Sequence, residues 1–260
     1  MLNKRLSPRE LVTFVVLTLL SSAVPALAQH EDERYVRETD PQVLARLEQW
    51  QDLKFGLLMH WGPYSQWGIV ESWSICAEDE GWCRRSLSDY IEYKRRYEAL
   101  KSTFNPVRFD PAPWAKAARE AGMKYVVFTT KHHDGFSMFD TKLTDYKVTA
   151  PDCPFSADPR ANIAKEIFDT FRQNGFWVGA YFSKPDWHNE NYWWPNFATP
   201  DRNVNYDPAV YPERWKAFTD FTHNQVMELM NDYGRIDILW LDGGWVRKRP
   251  KEETERTYAE

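Results

Sequence analysis

Continuous apolar runs, separated by amphipathic segments, dominate the pattern of this chain. Four runs have this character and each ends in polar residues: KFGLLMHWG at 54–62, KYVVFTT at 124–130, FWVGAYFS at 176–183 and IDILWLDGG at 236–244. Runs that are apolar throughout, instead of at alternate positions, are typical of strands buried on both faces of a parallel sheet. The pattern therefore predicts four strands of this kind.

Helical segments precede three of the four runs. Asp110 is placed to cap a helix that begins in PAPWAKAAREA, and Gly122 is placed to end it. Two further segments have apolar residues at steps of three and four, and they end at Gly175 and Gly234. Their apolar faces consist of Ile163, Ile167, Phe168 and Phe171 in the first, and of Trp215, Phe218, Thr222, Val226, Leu229 and Tyr233 in the second.

The alternation of strand and helix predicts an α/β fold with parallel strands joined by helical crossovers. Two architectures fit this order, a (β/α)8 TIM-like barrel and an open doubly wound sheet. No glycine-rich phosphate loop follows the first strand, and every strand ends in residues capable of chemistry, as at the catalytic face of a barrel. We therefore expect a barrel of which roughly the first four strands are present, without a domain boundary between residues 29 and 260.

The first 28 residues have the pattern of a secretory signal peptide. Basic residues occur in MLNKRLSPRE, an apolar stretch follows in LVTFVVLTLLSSAV, and small residues in PALA precede a cleavage point after Ala28. An uncleaved anchor helix is the weaker alternative, because the apolar stretch is short for a bilayer that needs about 20 residues. The pattern predicts an exported protein, periplasmic or extracellular, that has no membrane attachment after cleavage.

Composition narrows the possible partners and cofactors. With 43% apolar and 27% charged residues, the chain can bury a sizeable globular core. Loss of residues 1–28 changes the formal net charge from −5 to −7, which argues against a nucleic-acid partner. Cys76, Cys83 and Cys153 lack the paired spacing of a zinc site. In an exported protein they could form one disulfide, and the two in CAEDEGWC are the favoured pair.

Aromatic residues are unusually frequent, at 41 of 260. Core packing accounts for most such residues, but aromatic rings also stack on the apolar faces of sugars, whose hydroxyls need directed polar partners. The candidate polar partners lie at the strand ends, which supply His60-Trp61, Lys131-His132-His133-Asp134, Tyr181 with Asp186-Trp187, and Trp240 with Asp242. If the barrel forms, these residues meet at one pocket.

The sequence predicts a specific geometry at two of these strand ends. His132 and His133 can reach one ligand only where their strand turns into its loop, because neighbouring strand residues point to opposite faces. Asp242 lies just before Gly243 and Gly244, where the backbone can bend freely. Trp240 should share a strand face with Asp242 and form an apolar wall beside it.

Four segments closely resemble the catalytic domain of the α-L-fucosidases of glycoside hydrolase family 29. They are HWGPYSQWGIVESW (60–73), KYVVFTTKHHDGFSMFD (124–140), GAYFSKPDW (179–187) and DILWLDGGW (237–245), within a resemblance over residues 40 to 250. The resemblance implies a (β/α)8-like barrel, usually followed by a C-terminal β-sandwich, and retaining hydrolysis of terminal α-L-fucose on fucosylated oligosaccharides or glycoconjugates. The ESWS and KPDW forms resemble the branch that prefers α-1,3/1,4-linked fucose.

The same resemblance implies a role for individual residues. Asp242 corresponds to the catalytic nucleophile. Glu71 and Trp73 fall where the family often has an adjacent Glu–Trp pair, separated here by Ser72. The substrate-binding residues implied are His60, Glu71, Trp73, His132, His133, Tyr181 and Trp240. We expect no cofactor and no metal ion.

Retaining glycosidases also need an acid/base carboxyl group about 5 Å from the nucleophile. By the resemblance this residue follows the nucleophile strand in a later part of the barrel, so we expect it beyond Glu260 and expect the chain to be a C-terminally truncated, inactive fragment. The half-open barrel also predicts self-association. Four glutamates in the charged segment KEETERTYAE are more typical of a solvated face, namely Glu252, Glu253, Glu255 and Glu260.

Two other functions remain open on the residues alone. A metal-dependent hydrolase could use His60, His132, His133 and Asp242 as ligands, although adjacent histidines on a strand make poor common ligands without distortion. A non-catalytic fucose-binding protein is the second. The intact Asp242 argues against an evolved loss of catalysis, whereas the missing half of the barrel argues for incapacity.

Overall fold

The structure, a computed structural model, describes residues 37–76, 83–199 and 201–245. The predicted signal peptide (1–28) and the glutamates of the segment 251–260 lie outside these residues. The chain divides into two units between residues 48 and 49, and all of the described strands belong to the second. In the described segments no helix is both long and apolar enough to cross a membrane.

The second unit is built on one parallel sheet. Its strands are β1 (Gly56–Met59), β2 (Tyr125–Lys131), β3 (Trp177–Ser183) and β4 (Ile238–Asp242), and they lie in the order β1-β2-β3-β4. Each strand pairs in parallel with the next one along the chain, as in a segment of a barrel. All four predicted strands are present, and their predicted parallel arrangement is confirmed.

Strand β1 is shorter than the apolar run 54–62 that predicted it. The backbone of Lys54 is left-handed, with φ of 59°, so the extended conformation begins only after it. A 3-10 helix at Pro63–Gln66 follows the strand end. Local backbone geometry thus limits β1 to four residues.

Five α-helices accompany the sheet in the described part of the chain. They are α1 (Pro41–Leu53), α2 (Tyr90–Glu98), α3 (Ala112–Glu120), α4 (Ile163–Gln173) and α5 (Pro212–Asp232). Short 3-10 helices lie at Pro63–Gln66, Trp73–Cys76, Ala99–Thr103 and Pro154–Ala157. Helices α3, α4 and α5 fill the β1-β2, β2-β3 and β3-β4 connections, which confirms the three predicted crossover helices.

The three crossover helices end at the predicted glycines, and the N-cap of α3 is shifted by one position from the predicted residue. The cap residue of α3 is Pro111, and Asp110 accepts a hydrogen bond from the Ala112 amide at 3.0 Å, so the predicted cap position is wrong by one residue. Gly122, Gly175 and Gly234 all have positive φ, as glycines that end helices commonly do. The predicted apolar face of α4 is fully buried.

Burial differs between the central and the edge strands. In β2 and β3 every residue after the first is buried, as the continuous apolar runs predicted. In β1 and β4 the side chains are partly open, with Leu58 48%, Trp240 41% and Leu241 46% exposed. The prediction of burial on both faces therefore holds for the two central strands only, because no described strand pairs with the outer side of β1 or β4.

The predicted disulfide in CAEDEGWC is not formed. Cys76, Cys83 and Cys153 form no disulfide among the described residues, and all three are buried. Burial itself therefore protects these thiols from solvent.

A buried ion pair closes the end of β2. The Lys131 ammonium lies 2.9 Å from a carboxylate oxygen of Asp186, and both side chains are almost fully excluded from solvent. Gln225 of α5 accepts a second hydrogen bond from the ammonium at 3.1 Å, and the ring of Phe182 lies 4.4 Å from it. Lys131 and Asp186 therefore serve the interior of the fold, although both belong to strand ends predicted to carry chemistry.

The backbone of β2 changes register just before this pair. Thr129 pairs with Tyr181 and Lys131 pairs with Phe182, so Thr130 is an extra residue without a counterpart on β3. The Thr130 side chain donates a hydrogen bond to the Tyr181 carbonyl at 2.7 Å, which holds the bulge in place. Bulges of this kind re-aim the side chains that follow them.

The chain then turns sharply at Gly135. This residue has φ of 79°, a left-handed conformation, and its amide donates a hydrogen bond to the His132 carbonyl at 3.1 Å. A Cβ atom at this position would lie 2.3 Å from Oδ1 of Asp186. Glycine is thus required both by the backbone angle and by the close approach of the ion pair.

We predict that Gly135→Ala destabilises the protein by about 2–4 kcal/mol, the sum of a left-handed backbone penalty and overpacking against Asp186. Gly122→Ala is the matched control, because Gly122 has φ of 83° but open space around the added methyl group. Its cost should be only about 1–2 kcal/mol. Urea denaturation measures the free energy of unfolding of both variants. Equal decreases would show that the contact with Asp186 adds nothing to the cost of Gly135→Ala.

Candidate active site

The carboxyl ends of the strands bring most of the predicted site residues into one group. His60 follows β1, His132 and His133 follow β2, Tyr181 lies in β3 and Asp242 ends β4. Glu71 and Trp73 reach the same place from the connection between β1 and α2. Seven of the eight residues predicted for the site are thus linked by direct contacts.

Both carboxylate oxygens of Asp242 have hydrogen-bond partners. One oxygen, Oδ2, accepts a hydrogen bond from the Tyr181 hydroxyl at 2.5 Å and lies 3.3 Å from Nε2 of His133. The other, Oδ1, accepts from the Gly243 amide at 2.7 Å. The contact with His133 and the bond from Tyr181 outweigh partial burial, so the pKa of Asp242 lies well below its ordinary value. This carboxyl group is ionised at neutral pH.

His133 is enclosed by aromatic rings. Its ring centroid lies 5.3 Å from that of Trp73, 4.9 Å from that of Trp187 and 4.8 Å from that of Trp245. Burial lowers the pKa of His133, so the ring is neutral at pH 7. Neither ring nitrogen has an aligned hydrogen bond to a described residue. The imidazole is fully buried, and its Nε2 faces the Asp242 carboxylate.

His132 and Glu71 form the other polar half of the site. Nε2 of His132 lies 3.1 Å from Oε2 of Glu71, and Nδ1 of His132 lies 2.5 Å from the Ser72 hydroxyl. Burial lowers the pKa of His132 to about 4. Burial alone would raise the pKa of Glu71, but the contacts with His132, His60 and Trp73 bring it down to about 2. At pH 7 the pair is a neutral imidazole and an ionised carboxylate.

The backbone at Glu71 is unusual for a residue with a side chain. Its φ of 48° is left-handed, a conformation that costs on the order of 1–3 kcal/mol in a non-glycine residue. The turn lets the Trp73 indole donate a hydrogen bond to Oε2 of Glu71 at 3.0 Å. Such strain commonly accompanies functional sites, and here it places the predicted Glu71 and Trp73 side by side despite the intervening Ser72.

His60 joins the two halves of the site. Its Nε2 lies 3.6 Å from Oε1 of Glu71, and its ring centroid lies 4.6 Å from that of Tyr181. Burial is the main reason that the pKa of His60 falls below its ordinary value, with Glu71 and Asp242 opposing the shift. All three predicted histidines of the site therefore have lowered pKa values.

Trp240 is the predicted site residue that these contacts do not include. It lies two residues before Asp242 on β4, so the two share a strand face as expected. Trp240 pairs in register with Tyr181 of β3, and 41% of its surface is exposed.

Asp134, another polar strand-end residue, lies in the interior of the fold. Asp134 is buried and accepts a hydrogen bond from the Tyr97 hydroxyl at 2.7 Å. Burial raises the pKa of Asp134 to about 7.

Ser72 was not predicted as a site residue, although its buried hydroxyl contacts His132. Its only signal in the sequence is its position between Glu71 and Trp73.

The metal ligands considered from sequence do not form one set. The described donor atoms that lie within 4.8 Å of one another belong to His60, Glu71 and His132, without His133 or Asp242. Nε2 of His132 lies 3.1 Å from the Glu71 carboxylate, so these two groups already contact each other directly. The group instead offers donors and acceptors beside aromatic walls, an arrangement suited to a small polyhydroxylated ring.

Comparison with known proteins gives a consistent result. The Alpha-L-fucosidase family model matches residues 22–259 of the chain. The plasma α-L-fucosidase of Homo sapiens is 26% identical over 207 residues, which are 76% of this chain and 40% of that protein. The tissue α-L-fucosidase of Rattus norvegicus is 27% identical over 246 residues, which are 90% and 47%. The chain spans less than half the length of these relatives.

Solved structures show the same similarity. The α-L-fucosidase isoenzyme 1 from Paenibacillus thiaminolyticus has 37% identity and a TM-score of 0.57, over 77% of this chain and 43% of that one. A family 29 α-L-fucosidase of Bacteroides thetaiotaomicron, a trapped covalent intermediate in complex with 2-fluoro-fucosyl fluoride, has 29% identity and a TM-score of 0.58, over 80% and 42%. These similarities confirm the predicted TIM-like barrel class for the parallel sheet.

We predict that His132 makes the fold sensitive to mild acid. Its pKa is about 4 when folded, against an ordinary value of 6.5. Between these pH values the unfolded chain binds the extra proton, so stability is fully present above pH 6.5 and falls as the pH drops towards 4. Between pH 7 and about 4.5, the free energy of unfolding should fall less in His132→Gln than in the parent, by up to about 3 kcal/mol. Urea denaturation at both pH values measures this difference.

The control for this measurement is His223→Gln, because His223 is exposed on α5. That variant should keep the full pH dependence of the parent. If His132→Gln also keeps it, then the acid sensitivity arises elsewhere.

Proposed function

The chain belongs to the α-L-fucosidase family, since the family model covers residues 22–259, and on this basis we propose that it acts as an exo-acting glycoside hydrolase. It releases terminal α-L-fucose from fucosylated oligosaccharides or glycoconjugates by retaining double displacement. The observation that carries the proposal is the ionised Asp242 carboxylate, held by Tyr181 and His133 in a site of neutral histidines and aromatic rings.

The sugar hydroxyls are bound by the polar half of this pocket. Oε1 of Glu71 and the ring nitrogens of His60 and His133 can exchange hydrogen bonds with a polyol, because these rings are neutral at pH 7. Trp73 supplies an apolar wall beside His133, and Trp240 supplies one beside Asp242. Tyr181 and His132 orient the two carboxylates.

Asp242 is the proposed nucleophile. Its Oδ atom attacks the anomeric carbon and forms a glycosyl ester, while the glycosidic bond breaks and its electron pair leaves with the aglycone oxygen. Water then hydrolyses the ester and returns the carboxylate. A covalent intermediate trapped in the Bacteroides thetaiotaomicron relative supports this route.

The departing oxygen needs a proton, and the site carboxyl groups described here do not hold one. Asp242 and Glu71 both have pKa values far below neutrality. Asp134 has a raised pKa, but it is buried against Tyr97. We therefore place the general acid outside the described residues.

Substrate linkage and location follow from sequence patterns. The ESWS and KPDW segments support a preference for α-1,3/1,4-linked fucose, and both contribute directly to the site through Glu71, Trp73 and Trp187. The pattern of residues 1–28 supports export to the periplasm or the extracellular space. The exposed edges of β1 and β4 support self-association of the chain.

We predict that 2-fluoro-fucosyl fluoride labels Asp242 covalently. Fluoride leaves without protonation, so the reaction needs the nucleophile but not the general acid. The labelled protein should gain the mass of one 2-fluoro-fucosyl group, located by peptide mass spectrometry on the segment that contains Asp242. Asp242→Asn should remove the label completely.

Asp220→Asn is the control for this labelling, because Asp220 lies on the exposed side of α5. It should be labelled as fast as the parent, and a label on any residue other than Asp242 would overturn the assignment.

An α-1,3/1,4-fucosylated oligosaccharide should slow labelling more than an α-1,2-fucosylated one. Equal protection would refute the proposed linkage preference.

We also predict that the 260-residue chain self-associates. The outer backbone groups of β1 and β4 are unpaired among the described residues, beside the exposed Leu58 and Leu241. Leu241→Lys should shift the population towards monomer in size-exclusion chromatography with light scattering, whereas Val107→Lys, at an exposed turn position outside the strands, should not. A monodisperse monomer of the parent chain would contradict the prediction.

A further inference from the structure

A buried serine with no assigned role lies at the centre of the polar half of the site. Ser72 is 0% exposed and lies between Glu71 and Trp73. Its hydroxyl is 2.5 Å from Nδ1 of His132, while its carbonyl accepts a hydrogen bond from the Ile75 amide at 3.0 Å. The backbone of Ser72 therefore begins the 3-10 helix Trp73–Cys76, and its side chain is directed at the histidine.

The neighbouring contacts decide which atom donates in this hydrogen bond. The Trp73 indole donates to Oε2 of Glu71 at 3.0 Å, and Nε2 of His132 lies 3.1 Å from the same oxygen. A carboxylate oxygen only accepts, so Nε2 must carry the hydrogen. A neutral imidazole has one N–H, which leaves Nδ1 as an acceptor. Ser72 must therefore be the donor.

We propose that Ser72 is a positioning residue that locks His132 in the Nε2–H tautomer and thereby selects which oxygen of Glu71 receives the substrate. Oε2 is occupied by the donors of Trp73 and His132. Oε1, which lies 3.6 Å from Nε2 of His60, keeps its lone pairs for a hydroxyl of the sugar. The identity of that sugar rests on the proposed function, whereas the tautomer does not.

Burial makes the serine necessary for this arrangement. His132 is only 2% exposed, so no solvent reaches its ring to replace a lost donor. The other tautomer would place the Nε2 lone pair against the Glu71 carboxylate, and the two would repel each other. The hydroxyl of Ser72 satisfies Nδ1 from the far side of the ring and keeps the donor end towards Glu71.

The test uses the 260-residue chain labelled with ¹⁵N-histidine and needs no turnover. In the parent chain, the His132 signals should show hydrogen on Nε2 and a bare, hydrogen-bonded Nδ1 from pH 6 to 8. Ser72→Ala should move the Nδ1 signal downfield to that of a free acceptor nitrogen, or introduce the Nδ1–H tautomer. His132→Gln identifies the signals by removing them.

The matched control is Ser74→Ala, because Ser74 is equally buried on the same 3-10 helix. It should leave the His132 nitrogen signals unchanged, as should Ser72→Thr, which keeps a hydroxyl. A parent spectrum with hydrogen on Nδ1 would overturn the proposal even if the Ser72 variants fail to fold. An unmoved Nδ1 signal in Ser72→Ala would do the same.

A second measurement connects the tautomer with the sugar. Ser72→Ala should weaken L-fucose binding by roughly five- to tenfold in calorimetric titration, equivalent to loss of one hydrogen bond. Ser74→Ala should bind as the parent does. If the parent does not bind L-fucose, the proposed function fails, while the nitrogen signals still decide the role of Ser72.

Discussion

The buried ion pair between Lys131 and Asp186 is the constraint on which the site depends. An ammonium group removed from water is tolerated only with a charged partner and further hydrogen bonds, which Asp186 and Gln225 supply. Removal of one partner from such a pair typically costs about 3–5 kcal/mol. Lys131 must therefore point into the interior at the end of β2, and the residues that follow it are oriented relative to that fixed point.

The pair also attaches the connection after β3 to the end of β2. Oδ1 of Asp186 accepts hydrogen bonds from the amides of His188 and Asn189, which folds this segment into a turn. The Trp187 amide donates to the His133 carbonyl at 2.7 Å, and the Trp187 ring packs against the imidazole. His133 is thus fixed through both its backbone and its ring by residues that the ion pair orders.

The strands and the helix ends are predictable from the sequence, because local signals determine them. Continuous apolar runs predicted the four strands, and glycines such as Gly175 marked the helix ends, since both signals act within a few residues. The sequence also indicated that His132 and His133 can reach one ligand only where their strand turns into its loop. The structure has a bulge at Thr130 just before these histidines, and this bulge depends on pairing with Tyr181, a register that no local pattern encodes.

The polar partners inside the fold were less predictable for the same reason. Gln225 lies among apolar positions of α5, yet it contacts Lys131, which is 94 residues away in sequence. Ser72 looked like an insertion that separates Glu71 from Trp73, whereas a left-handed backbone at Glu71 brings both side chains to one place and turns the serine towards His132. Hydrogen-bond partners distant in sequence determine these roles.

The charge balance of the site suits the proposed reaction. Glu71 and Asp242 are ionised, while His60, His132 and His133 have lowered pKa values and are neutral at pH 7. Lys131 does not offset the carboxylates, because Asp186 already neutralises it. A neutral sugar gains little from two nearby negative charges, but the oxocarbenium-like transition state carries developing positive charge. Neutral histidines thus let the pocket favour the transition state over the bound substrate.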